Sequence, residues 1–344
     1  MYRKTVTVLQ IASVFIGTVV GAGFASGKEI IQFFTQYGMP GTFGAMIGGL
    51  LMAAVGSRTM VYARRIEAYS ANELLSRLFG DRIGTILQCL IFLMMFGMTG
   101  VMLAGAGAVF REQLGGPPAL GIGIILVTGL FFLVRGTRGL LWINSLVVPA
   151  LVTFVLILLF NGGLQPAPAK TAAGGVAWLV SAVGYAAFNL VSALIVLVPL
   201  ARDTKDERLL RAGGWLGGIG LALLLLAAHL MLLRRPSLLQ FDMPMAELVR
   251  PLGTLLHFFF VNVILGEILS TFVGNIYGLS RQLVSAFPNL IRPLPAALLP
   301  AAGALLIGQL DYGELIRVLY PLYGFLCAAL FLALCFLHLP EEME

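Results

Sequence analysis

Charge is the first shortage in this sequence. Asp, Glu, Lys and Arg make up 11% of its 344 residues, against about 25% in a soluble globular domain. A water-facing surface cannot be covered on that supply, so a soluble fold is excluded. Cysteine and histidine are scarce too: Cys89, Cys327 and Cys335 sit singly in apolar runs, and His229, His257 and His338 are far from one another in sequence. None has metal-site or disulfide-framework spacing, and the cysteines read as packing residues. No His-Glu-x-x-His is present, nor a nucleophile set beside a base, which argues against an intramembrane enzyme; no organic cofactor is expected. The alternating ten-residue segments of a transmembrane barrel are missing as well. After the basic start, no small-residue cleavage site follows a compact apolar core, so a cleaved signal peptide is not expected.

What fills the chain is apolar residues, 59% of the total, with a mean hydropathy of +0.96. Runs of 18 or more recur along its length, each long enough to cross a bilayer as a helix. The expectation is an all-α integral membrane protein, one transporter-sized domain over 1–344. Ten spans are expected, near 6–34, 40–63, 83–110, 118–135, 140–160, 175–200, 213–233, 252–283, 293–309 and 313–338. With the N-terminus in the cytoplasm and sides alternating, the inner segments hold fifteen Lys and Arg and the outer ones seven. The excess obeys the positive-inside rule. Both termini are therefore expected in the cytoplasm, in the cell inner (plasma) membrane. The same bias accounts for the net charge of +6, with the lipid bilayer as surroundings, no nucleic-acid partner and no obligatory protein partner.

Two connections carry structure of their own. Ser70 and Glu73 form a capping box, followed by Leu74, Leu75, Leu78 and Phe79 on one face, which predicts a short amphipathic helix along the cytoplasmic surface. Between spans 7 and 8, Asp242 is placed to cap a short external helix that has Pro244 in its first turn. That helix is either loop packing or the cap of an access pathway.

Span 1 contains Gly17–Glu29, GTVVGAGFASGKE, with Gly17, Gly21, Gly23 and Gly27 ahead of a Lys28–Glu29 pair. Each glycine costs a helix interior about 1 kcal/mol relative to alanine, and intramembrane charge is costly. Two readings are open: close helix packing of the small-xxx-small kind, or a helix interrupted near Gly21–Gly23 whose freed backbone groups bind something at mid-membrane. Ten spans divide into five and five (repeats of about 6–160 and 175–338), which makes span 6 the partner of span 1. Span 6 has Gly184, Tyr185, Asn189 and Ser192 at its centre. Interrupted helices at matching positions in two halves point to a transporter's central site, so span 6 is expected to break as well.

On these motifs the chain resembles the LeuT fold of the amino acid–polyamine–organocation superfamily, a 5+5 inverted repeat with helices 1 and 6 broken. More closely, IGTVVGAGFASGKEIIQFF and the later LSTFVGNIYGL resemble the signature of the YkvI family of bacterial membrane proteins. The resemblance implies a sodium ion between broken helix 1 and helix 8. Its ligands would be the carbonyls of Gly17, Val20 and Glu267 and the hydroxyls of Ser270 and Thr271. Glu267, Ser270 and Thr271 share one helix face, and five oxygens suit a hard cation; the other reading is that Ser and Thr bond to the carbonyl four residues back. Phe24 stands where some members place the amide of a second sodium site, which leaves Asn189 as the remaining side-chain amide.

The substrate would lie against Gly21, Ala22, Gly23 and Phe24, where freed amides at the start of a half-helix favour a carboxylate. Tyr185 and Phe188 would wall it and Asn189 orient it. Met94, Met98 and Met102 form a stripe on span 3 that reads as packing or as an adaptable apolar lining. Lys28 and Glu29 pair locally, or Lys28 snorkels toward the surface, or Glu29 faces an outer vestibule as a gating group. Glu267 lies deep in span 8 with no Lys or Arg at helical spacing; ion ligation, attraction of an amine, proton coupling or a bond to a neighbouring helix all remain open. The expectation is a sodium-coupled symporter that moves a small amino acid or related zwitterion by alternating access. The alternatives are a proton-coupled carrier of an amine or other small solute, and a non-transporting nutrient sensor on the same scaffold.

Overall fold

The computed structural model describes residues 2–134, 137–161, 175–204, 206–287 and 292–337. Arg135, Lys170, Lys205 and His338, which enter the charge and histidine counts above, lie outside them. All regular structure among the described residues is helical. The first span is three pieces: α1 (Tyr2–Val19), α2 (Ala22–Ser26) and α3 (Lys28–Phe33). The next four spans are α4 (Met39–Arg65), α5 (Ala71–Gln113), α6 (Pro118–Val134) and α7 (Thr137–Asn161). Then come α8 (Ala177–Asp203), α9 (Glu207–Leu233), the short α10 (Pro244–Val249), α11 (Thr254–Ala286), α12 (Pro293–Ile307) and α13 (Tyr312–Cys335). Six described helices are long and apolar enough to cross a membrane, and four more apolar helices are shorter. With α1–α3 counted together, the helices follow the ten expected spans in order.

In lipid, helices associate by close contact of small side chains, because the hydrocarbon is as apolar as leucine. The α4–α9 crossing is built this way: a Cβ on Gly49 would strike Ala222, one on Gly214 Ser57, and one on Gly218 Ala53. Gly213 and Gly217 do the same for α9 against Ile11 and Phe15 of α1.

Span 6 departs from expectation, because α8 is one continuous helix. Gly184 lies where α8 crosses α13 at Gly324, and a Cβ on Gly324 would stand 2.9 Å from the Gly184 carbonyl oxygen. The glycine is spent on helix approach rather than on opening the backbone. The polar side chains beside it also turn back on their own helix: Asn189 Nδ2 donates to the Tyr185 carbonyl at 3.1 Å, and Ser192 Oγ to that of Phe188 at 2.9 Å.

The capping box forms. Glu73 N–H donates to Ser70 Oγ at 3.2 Å, and the Glu73 carboxylate accepts from Tyr69 N–H at 2.8 Å. This helix is docked rather than lying free on the surface, since Leu74 and Leu75 are fully buried. Gly80, with φ +78°, turns the chain into span 3. Asp242 does not cap α10: Met243 holds that position, and Pro244 opens the helix as expected. The Asp242 carboxylate is taken instead by Arg111 Nη2 at 2.7 Å and Lys28 Nζ at 3.5 Å. The Glu112 carboxylate accepts from the Asp242 and Met243 amides in its place, at 2.8 and 2.9 Å.

Candidate substrate and ion site

The first span opens where its glycines cluster. Val20 N–H closes the last turn of α1 on the Ile16 carbonyl at 2.8 Å. Gly21 is then extended (φ −127°, ψ −163°), and Ala25 N–H starts the next turn on the Gly21 carbonyl at 2.9 Å. Backbone polar groups between these turns have left the helical ladder, and a nonpolar medium would not satisfy them. A second interruption follows at Gly27, whose φ of +85° is left-handed and whose missing side chain leaves room for Met245 and Pro244 of α10. The packing reading of this glycine cluster therefore yields to the interrupted helix. α2 is a five-residue insert, buried throughout.

On one side the break meets α11. Thr271 Oγ1 lies 3.3 Å from where a Cβ on Gly21 would stand, so glycine permits this approach. α7 passes both partners, with Val148 against Gly17 and Val147 against Gly266. Ser270 is buried, and so is Glu267, whose Oε1 makes no hydrogen bond. One turn beyond Thr271, Asn275 Nδ2 is buried without a partner. Of the expected ion residues, Thr271 meets Gly21 at the break, and Gly17 packs against Val148 of α7. Among the described residues, no cluster of three or more His, Cys, Asp and Glu could hold a metal.

On the other side, Glu29 of α3 lies between Gly23 of α2 and Asn189 of α8. Its carboxyl occupies the space a Gly23 side chain would fill, and Glu29 is only 5% exposed. Asn189 Nδ2 lies 3.4 Å from Glu29 Oε1. The Tyr185 hydroxyl is close to the same carboxyl but makes no hydrogen bond of ordinary geometry. Glu29 is closed off from solvent in this structure, and Lys28 does not pair with it but reaches the Phe241 carbonyl at 2.9 Å and Asp242. Phe33 and Phe34 pack edge-on against Tyr185 at 5.2 and 4.9 Å between ring centres. Phe188 packs on Tyr320 at 5.0 Å and on Tyr323 at 6.0 Å. Ala22 and Phe24 are buried in the same core.

Sequence reasoning missed Ser26, Tyr312, Tyr320 and Tyr323. Ser26 Oγ donates to the Gly23 carbonyl at 3.0 Å and lies 2.9 Å from the Tyr312 hydroxyl, which ties α2 to α13. The spacing of the three tyrosines (i, i+8, i+11) was available, since it puts them on one side of a helix. A pocket of about 280 Å³ is lined by Arg111, Asp311 and Tyr312 among others, and the hydroxyl of that same Tyr312 reaches Ser26 of α2. The other singled-out residues are structural. His229 bridges Thr35 and Thr42 at 3.1 and 3.0 Å, and Met94 and Met102 are core residues, with Met94 against Cys327.

No family model matches the chain. It is 37% identical over 325 residues to the membrane protein YkvI of Bacillus subtilis (strain 168), covering 93% of each chain. It is 25% identical over 337 residues to YyaD of the same organism, covering 94% of each. Among solved structures, the inward-facing conformation of Mhp1 superposes with a TM-score of 0.65 at 16% identity, over 95% of this chain and 75% of that one. A Na+-coupled sialic acid symporter in a substrate-bound outward-open state gives 0.63 at 13% identity, over 96% and 78%. A manganese transporter of Eremococcus coleocola gives 0.57 at 15%, over 95% and 76%. At these identities the likeness concerns the fold, which is the LeuT fold.

Proposed function

The chain belongs to the YkvI family of membrane proteins, and from that premise we propose that it is a sodium-coupled secondary transporter of a small amino acid or related zwitterion. The observation that carries this reading is the meeting of the opened backbone at Val20–Gly21 with Thr271 on α11. Backbone oxygen and hydroxyl oxygen supply a hard cation without soft ligands. The ion would be held by the carbonyls of Gly17, Val20 and Glu267 with the hydroxyls of Ser270 and Thr271. Substrate would lie against Gly21–Phe24, with Tyr185, Phe188 and Asn189 across from it. α2 is held between α11 on one side and α8 and α13 on the other, so relative movement of these helices would couple ion and substrate. The protein would work in the plasma membrane with both termini cytoplasmic.

Counterflow of radiolabelled solutes in proteoliposomes tests the reading, because a sensor binds without moving substrate. Wild-type protein should accumulate label only with external sodium, and Ser270→Ala with Thr271→Val should remove that dependence while the fold survives. Sodium-independent transport, or unaltered sodium dependence in the double variant, would show the ion site to be misassigned. One observation favours the proton instead: the unpartnered, buried Glu267 Oε1 is placed to exchange one.

A further inference from the structure

Glu29 is a buried carboxyl without a basic partner. Among the described residues it makes no ion pair, and neighbouring Lys28 is engaged by Phe241 and Asp242. A carboxylate in a low-dielectric interior is costly unless charge and hydrogen bonds compensate it. Asn189 offers one long hydrogen bond. The rest of the surroundings is aromatic, with Tyr185, Tyr312 and Tyr320 all within electrostatic reach of the carboxyl. Tyr185 and Tyr320 are almost fully buried, and the Tyr185 hydroxyl lies close to the Glu29 carboxyl without a hydrogen bond of ordinary geometry. The carboxyl thus has one long amide hydrogen bond, a nearby tyrosine hydroxyl and, among the described residues, no compensating cation.

We infer that Glu29 is the counter-charge for an organic ammonium group on the substrate, received among Tyr185, Tyr320 and Asn189 beside the break in span 1. The inference rests on the break being the substrate site, and deepens that reading by naming the substrate class. A bare divalent ion would need about six oxygens, whereas a single carboxylate among electron-rich rings matches an alkylammonium, which gains from both the charge and the rings. A substrate carboxylate on this face would meet the protein's own carboxylate at close range and be repelled. The carboxylate-first orientation expected from freed amides is therefore replaced by an ammonium-first one. Amines and zwitterions bound through their amino group qualify; simple organic anions do not.

The test is ligand-induced thermal stabilisation of the purified full-length protein in detergent. The probes are ethanolamine, choline and alanine, with propionate and sodium chloride as separate arms. At least one ammonium probe should raise the Tm, and propionate should not. Glu29→Gln should weaken that response by roughly 30-fold or more in concentration, as for loss of one partner of a buried charge pair, while leaving the sodium-induced shift. Tyr185→Phe, which keeps the ring and removes the hydroxyl beside the carboxyl, serves if Glu29→Gln does not fold, and should weaken the same response alone. No response to any ammonium probe, an undiminished response in the variants, or loss of the sodium shift in Glu29→Gln would each overturn the assignment; the last would make Glu29 an ion ligand. Because this is a binding measurement, its failure is distinct from failure of counterflow, which bears on transport.

Discussion

The carboxyl of Glu29 fills the notch left beside α2 by the missing side chain of Gly23. The two residues are six apart in sequence and are brought into contact by the turn at Gly27. Gly23→Ala should therefore force the carboxyl out, destabilising the protein by about 1–3 kcal/mol, the usual cost of overpacking. Glu29→Ala in the same chain should recover part of that loss, with a coupling of about 0.5–3 kcal/mol. Thermal unfolding of the two single variants and the double variant measures it; strict additivity would mean that the contact does not hold.

The α8–α13 crossing gives an asymmetric pair of substitutions. A Cβ on Gly324 would press on the Gly184 backbone at 2.9–3.1 Å, whereas one on Gly184 would stand 3.7 Å from Gly324, an ordinary contact. Gly324→Ala should cost about 1–3 kcal/mol, and Gly184→Ala should be neutral or slightly stabilising, because alanine is the better helix former. A costly Gly184→Ala would indicate that span 6 needs to open there after all.

Glu267 is 2% exposed, and one carboxyl oxygen lacks a partner. If it couples transport to an ion or proton, Glu267→Gln keeps the shape and cannot ionise. Uphill accumulation in proteoliposomes should fall to equilibration, while exchange of labelled for unlabelled solute persists. Normal accumulation with an unchanged pH profile would leave Glu267 a structural group.

Orientation follows from charge bias and is checked by labelling. Arg208 lies in the first turn of α9 and Ser237 just beyond its other end, and both are exposed. In a chain freed of Cys89, Cys327 and Cys335, Ser237→Cys should react with an impermeant maleimide on intact cells. Arg208→Cys should react only after permeabilisation. The reverse pattern would place both termini outside.

Apolar run lengths alone determined the membrane class and the order of ten spans, because the bilayer imposes a length and a polarity that any window of sequence can be tested against. The capping box at Ser70 and Glu73 was equally legible, since its bonds span only a few residues. The interruption of span 1 was legible as a cluster of glycines. Position within the chain did not decide what a glycine does: Gly21 admits Thr271 at an opened backbone, and Gly184 admits Gly324 against an intact helix. The tertiary structure alone decided between them. Asp242 shows the same division, for its place before Pro244 announced a helix cap while Arg111 and Lys28, more than a hundred residues away, claimed its carboxylate. Glu29 was visible as a charge in a span, but its setting was not. The rings of α8 and α13 reach it only once helices far apart in sequence are packed together, and a buried group's chemistry is set by what surrounds it in space.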